Sequence, residues 1–487
     1  MNSACSTACA GGVMAEGGMV VADDPRLSAS VDQGRAGAFG LWLLAALILI
    51  QFFTIPALPG VNLAPENFVF LAAILAFGPK LARLAFASGR LSAAVLALLG
   101  FSLLAWLHDL TSGGLVGSPG RHMRAAVYIL LLAHVCSYPV TRRQVMSLVV
   151  LVGVAQVIFA SLVYFIGEPF MAIRAWMLQT AESGDTVIGR GSQIAGTYGA
   201  PHVFSYLLAS FPFLAISLFL REKKVVWLGA LIVLVLGLFL NAERSSAAVF
   251  FVGIFYLAIK TRQRTRNLTL LGVVLLALIG MQQIIGSQAP ATGPGAASES
   301  SYTHGTLADR LGGTSVDEVM DRIMYQAHGI TSVFKHPLLG PTQLQYAREV
   351  AGEGGAVISG ALAAAVMAPH NHYIDIGVHA GLGGWLLFLV CAWSLWKAQR
   401  TVKIAVRITR TAAQQEYLYV SAGLLAAMGN ALFHNAGIFS PELATSTMVG
   451  LLLAQYRQVV CQPVRRPLAP PTPVDAGPIN GVGGTSA

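Results

Sequence analysis

Charge is what this sequence has least of. Asp, Glu, Lys and Arg make up only 11% of its 487 residues, against about a quarter in a soluble domain, so a globule of this size would lack the polar surface to stay in water. Acidic residues are the scarcer kind, 22 against 31 basic ones. They form no DxD or paired-carboxylate cluster of the sort that holds Mg²⁺. No GxGxxG or P-loop stretch marks a nucleotide site, so neither a metal nor a cofactor is expected. Cysteines number five. Cys5 and Cys9 stand near the start, Cys136 and Cys391 inside apolar runs and Cys461 after the last run, a distribution that implies no disulfide framework. The first residues lack a basic region followed by an apolar stretch, so no cleaved signal peptide is expected.

Apolar residues are abundant, 55% of the chain, and they come in runs such as FGLWLLAALILIQFFTI (39–55) and VVWLGALIVLVLGLFL (225–240). Runs of roughly 17 to 25 match the thickness of a bilayer core. The fold class expected is therefore all-α, a polytopic integral membrane protein of about twelve transmembrane helices. Reading runs against breakers places them at 39–57, 66–86, 91–108, 123–140, 144–166, 200–220, 225–242, 244–260, 267–285, 372–396, 416–435 and 441–457. Residues 1–38 and the Pro- and Gly-rich 458–487 read as disordered tails. The body divides into spans one to nine (39–285), a large loop (286–371) and spans ten to twelve (372–457).

Basic residues orient the spans. With the N-terminus in the cytoplasm, only Arg121, Arg124, Arg174, Arg190, Arg244, Arg310, Arg322, Lys335 and Arg348 fall outside. Every inner linker is basic and the alternation never breaks, which puts both termini on the cytoplasmic side with an even number of spans. The net charge of +9 then reflects topology and not a nucleic-acid surface, because the basic residues are spread over separate short loops. Two outer segments, 167–199 and 286–371, exceed a plain connector. Within the second, Val316, Val319, Ile323 and Met324 share one helical face, predicting an ordered loop with a short helix or two lying against the outer face.

The tenth span opens on PHNHYIDIGVHAGLGG (369–384). His372, Asp375 and His379 share one helical stripe, with His370 and Asn371 just above. Either His370 or His372 is a candidate base, since imidazole titrates near neutral pH; the alternative is that these histidines merely solvate a helix end. A carboxylate at the depth of Asp375 is costly unless paired or working, and His379 is its expected structural partner. Gly377, Gly381 and Gly384 nearly align, a small-xxx-small pattern that suits close packing of a neighbouring helix. Arginines are rare on the outer side, and their planar forks suit phosphate oxygens. Arg190, Arg244, Arg310 and Arg322 are the candidates; ordinary loop charges, or a local pair of Arg244 with Glu243, are the plainer readings.

These motifs resemble the superfamily of O-antigen ligases and the related polymerases of O-antigen and exopolysaccharide synthesis. The ligase signature is His, then Asn, Ser or Gln, nine residues, then GxxG. Here His370, Asn371, residues 372–380 and Gly381-Leu382-Gly383-Gly384 meet it. HPLLG (336–340), preceded by Arg322, looks like the family's loop segment before that motif. GTYGAP (196–201), with Arg190 upstream, looks like the opening of the span after the first outer loop, although this chain has Pro201-His202 where the family often has Pro-Asn. Arg244 with Ser245 looks like the family's arginine at a later span's outer end.

The resemblance implies a GT-C-like fold and a metal-independent inverting glycosyltransferase that takes a glycan from undecaprenyl diphosphate at the periplasmic face. His370 would deprotonate the acceptor hydroxyl, while Arg190, Arg244 and Arg322 would hold the departing diphosphate. Arg310, His336, Asn371, His372 and Asp375 would contribute to substrate binding. The acceptor would be another lipid-linked repeat for a polymerase, or lipid A–core for a ligase; a flippase and a chain-length regulator are the partners such a polymerase works with. A twelve-span transporter is the competing class, but carriers often show two six-span halves, and here the sixth and seventh runs are joined only by REKKV (221–225).

Overall fold

The computed structural model describes residues 25–52, 65–86, 89–111, 119–167, 169–178, 194–198, 201–241, 243–260, 316–342, 345–346, 349, 369–409, 412–434, 436–439 and 442–461. Among these residues the chain is helical, with no strand: α1 (Pro25–Phe52), α2 (Pro65–Phe86), α3 (Arg90–Thr111), α4 (Pro119–Val135), α5 (Pro139–Phe165), α6 (Phe170–Leu178), α7 (Pro201–Glu222), α8 (Val225–Asn241), α9 (Arg244–Lys260), α10 (Val316–Lys335), α11 (His372–Thr409), α12 (Ala412–Asn430) and α13 (Leu443–Cys461). Proline opens α1, α2, α4, α5 and α7, where its missing N–H costs nothing and its fixed φ suits a first turn.

Five helices are long and apolar enough to cross a membrane among the described residues: Pro65–Phe86, Arg90–His108, Pro139–Phe165, His202–Glu222 and His372–Val406. Shorter apolar stretches lie at Ala38–Gln51, Met123–Val135 and Val225–Asn241. This is an all-α membrane protein. A helix underlies each of the predicted spans except 267–285, which falls outside the described residues.

Some boundaries differ from expectation. α4 stops at Val135, not 140, because Tyr138 is extended ahead of Pro139 (φ −88°, ψ 130°) and the next helix starts there. Arg142 and Arg143 consequently sit in the first turn of α5 and not in a linker. α1 begins at Pro25, within the stretch read as a tail. The tenth span is longer than expected, running to Thr409, and it is interrupted: Ala380 (φ −141°, ψ 15°) and Gly381 (φ 61°, ψ −157°) are not helical.

α7 is the centre of the bundle. Phe204, Tyr206, Phe211 and Phe213 have no exposed surface, and α7 packs on α5, α8 and α12. Around it, α3 packs along α11, α4 along α13, and α9 along α12. Small residues set the closest crossings. A Cβ on Gly450 of α13 would come within 2.6 Å of Leu132 on α4. Where α5 and α12 begin and α7 ends, a buried ion network ties the bundle. Arg142 pairs through Nε with Glu416, and its NH1 donates to the Cys136 carbonyl (3.0 Å) and to Gln458 Oε1 (2.9 Å). Arg221 reaches the second Glu416 oxygen at 2.8 Å.

Candidate functional site

At the opposite end of the bundle, four chain segments meet over the start of α7. The first is the turn after α12. That helix ends at Asn430, several residues before the predicted 435, because residues 431–434 curl back in turns (Leu432 N–H to Gly429 O, 3.1 Å; Phe433 N–H to Asn430 O, 3.0 Å). The curl points His434 inward, 9% exposed. Its Nε2 lies 2.9 Å from Ser245 Oγ at the start of α9. Its ring stacks on His202 of α7 at 5.4 Å between centroids, with Tyr206 at 6.0 Å. Burial, and then the neighbouring His202, Arg322 and His370, push the His434 imidazole down to about 3, because each disfavours a further positive charge.

The second segment, 369–372, enters α11. His370 is half-buried and holds φ 48°, a left-handed conformation that costs a non-glycine residue roughly 1–2 kcal/mol. Asn371 explains the bend: its Oδ1 accepts the N–H groups of Tyr373 (3.0 Å) and Ile374 (3.4 Å), which makes it the N-cap of α11. His372 is turned inward, 1% exposed. Its backbone N–H donates to Ala431 O at 2.9 Å and its Nε2 accepts from Phe439 N–H at 3.2 Å. These contacts clamp the turn bearing His434 against the turn bearing His370. His372 therefore braces the site from behind, and of the two candidate bases His370 is the one left on the accessible side.

The third segment is the α8–α9 turn. Asn241 Nδ2 donates to Ile194 O at 2.7 Å, fixing this turn to residues 194–198. That strand of chain is held in turn by Arg174 of α6, 1% exposed, which donates to Gly196 O (2.7 Å) and Tyr198 O (2.8 Å). Gln156 of α5 also grips Thr197. Arg244, half-buried, is the first residue of α9 and precedes Ser245. The fourth segment is α10, whose exposed Arg322 contributes to the charge around His434.

The structure thus gathers His370, Arg322 and the Arg244–Ser245 pair around His434 and His202. It places Asp375 and His336 elsewhere. Asp375, 15% exposed at its side chain, pairs with His379 Nδ1 at 3.3 Å, and the His379 ring faces His108 of α3 at 6.2 Å. His336 is bound to Glu349 at 3.0 Å, roughly 20 Å along α10 from Arg322 at about 1.5 Å per residue. Arg190 and Arg310 lie outside the described residues.

Of the three glycines expected to pack against a neighbouring helix, Gly377 does so and Gly381 does something else. Gly381 forms the interruption in α11, where its φ of 61° suits glycine. Into the gap fits the HPLLG turn: Leu382 N–H donates to Pro337 O at 2.9 Å, and a Cβ on Gly381 would overlap that carbonyl. Gly377 gives room to Trp385 of the same helix and to Val333 of α10, while Gly384 faces the Ile376 carbonyl. The break and the docked turn explain why these sequence features occur together.

His434, His202 and Arg174 were not singled out in the sequence as site residues. Among the described residues no three His, Cys, Asp or Glu side chains stand close enough to hold one ion. What the cluster offers is a set of imidazoles, a hydroxyl and guanidinium groups, suited to binding an anion and moving a proton. No protein-family model matches the chain, and no curated protein matches it in sequence.

Proposed function

We propose that this protein is a glycosyltransferase of the periplasmic face of a bacterial inner membrane, polymerising undecaprenyl-diphosphate-linked oligosaccharide repeats into a surface polysaccharide. In this reading the chain crosses the membrane twelve times with both termini in the cytoplasm. The observation that carries it is the convergence of His370, Arg322 and Ser245, with Arg244 beside it, on His434 from three other segments far apart in sequence.

The chemistry follows from those groups. His370 takes the proton of the acceptor hydroxyl as its oxygen bonds to the anomeric carbon from the face opposite the leaving group. The bond from that carbon to the diphosphate oxygen breaks, and the electron pair leaves on the diphosphate. Arg244 and Arg322 offset the negative charge that develops there. His434, kept neutral by burial and by its basic surroundings, Arg322 among them, accepts or donates one hydrogen bond to Ser245 without adding a charge that would compete for the anion.

His370→Ala is expected to lower polymer formation by about two to four orders of magnitude while the protein inserts and purifies as before. Normal polymer yield and length in His370→Ala cells would remove the proposed base. A ligase differs from a polymerase in its acceptor, and a deletion strain separates them. Loss of all polymer marks a polymerase; polymer stranded on its lipid carrier marks a ligase.

A further inference from the structure

α10 is amphipathic the wrong way round for a helix in a water-filled loop. The face it turns to α11 is made of small and few apolar side chains: Gly329 abuts Ile374 and Pro369, Ser332 is buried, and Val333 meets Gly377. On the opposite face, Met320, Ile323, Met324, Ile330 and Phe334 are each 40–64% exposed, and Leu338, in the turn that follows, is 82% exposed. Ile323 and Met324, whose spacing predicted a helix here, face away from the rest of the protein. Five large apolar side chains on one stripe of a 20-residue helix are not stable facing water.

The level of this stripe can be found from α11. Near its far end Lys397 Nζ lies over Trp393 and Trp396 at 4.6 and 5.1 Å, and Arg400 lies over Trp396 at 4.8 Å. Exposed tryptophans beside lysine and arginine mark a membrane–water interface. From Lys397 back to Gly381 is about 24 Å of helix at roughly 1.5 Å per residue. A hydrocarbon core of roughly 30 Å therefore ends near Gly377. Val333 packs on Gly377, the Phe334 ring lies 6.0 Å from Trp385, and Pro337 bonds Leu382. The second half of α10 thus lies alongside the boundary, where its apolar face continues the exposed Leu382, Leu386 and Leu389 of α11. Lys335, exposed on the flank of the stripe, has the reach and charge for lipid phosphates.

We propose that α10 is an interfacial helix whose outward face is immersed in the lipid of the leaflet on the site's side, with its second half deeper than its first. The inference holds whatever reaction the site performs. It also sets the level of Arg322, which α10 carries, at the height of lipid headgroups.

The test uses the full chain with Cys5, Cys9 and Cys461 changed to serine; Cys136 and Cys391 are buried and escape labelling. Ile323→Cys and Phe334→Cys each receive a nitroxide, and the protein is reconstituted in phosphatidylethanolamine–phosphatidylglycerol vesicles. Immersion predicts that oxygen collides with both labels more often than a water-soluble nickel chelate does, with the larger ratio at 334. Nickel collisions exceeding oxygen at both positions would place the face in water. Low collision rates with both reagents would mean that protein covers it. Either result overturns the proposal. Met320→Cys supplies a third position should either variant fail to reconstitute.

Discussion

Where α5 and α12 begin, the buried charges answer one another: Glu416 stands between Arg142 and Arg221, and Arg142 spends a further donor on each of Cys136 and Gln458. At the other end of the same helices, imidazoles and guanidiniums collect around His434, and the backbone at His370 is strained. The first arrangement fastens helices. The second gathers basic side chains beside a strained backbone in a partly buried place, an arrangement that costs stability and is useful where an anion is to arrive. The contrast teaches that a low charge content does not mean charge plays a small part; at each end a handful of residues decides what that end can do.

The largest expected effect lies at the paired end. Glu416→Leu leaves Arg142 buried without its carboxylate, and roughly 3–5 kcal/mol of stability should be lost, read as a fall in the thermal midpoint of purified protein. Adding Arg142→Met should restore much of it. If Glu416→Leu melts like the wild type, the two ends do not differ in the way described.

A smaller effect concerns pH and sharpens the other side of the comparison. The His434 imidazole is lowered in the folded protein to about 3 from an ordinary 6.5. Between those values the unfolded chain holds a proton that the folded one refuses, so stability falls as pH drops below about 6.5 and levels off near 3. His434→Gln should flatten that part of the midpoint-against-pH curve. An unchanged slope would show that this end does not keep His434 neutral. The smallest effect is at Asn371: losing the cap through Asn371→Ala should cost about 1 kcal/mol, and Asn371→Asp, which keeps a capping oxygen, should restore the midpoint. Activity that follows the midpoint through both changes assigns Asn371 to capping; activity that stays lost in the aspartate variant, though its midpoint is restored, assigns it a contact with substrate.

Much of the scaffold was legible because hydrophobic runs and prolines are local signals. Pro65, Pro119 and Pro201 open helices close to where the runs predicted them. The pairing of Asp375 with His379 followed from i, i+4 spacing alone. The site was legible only in part. His370 and Arg322 stood out by position, but His434 lies within ALFHNAGIF, and nothing local connects it to Ser245, 189 residues earlier. The one available signal was that the eleventh predicted span ended on a second His-Asn pair. What the apolar face of α10 meets was not legible for a different reason: amphipathicity shows that two faces differ but not which medium each one meets.

The interruption in α11 bears on which changes in length the chain can accept. The 336–340 turn is keyed into it by main-chain atoms, and the cap at Asn371 starts the helical stretch that leads to it. One residue inserted between those two points would swing His370 by about 100° about the helix axis, away from His434, however well the altered helix packed. The nine residues separating His370-Asn371 from Gly381 act as a ruler, and a deletion there would silence the site while sparing the bundle.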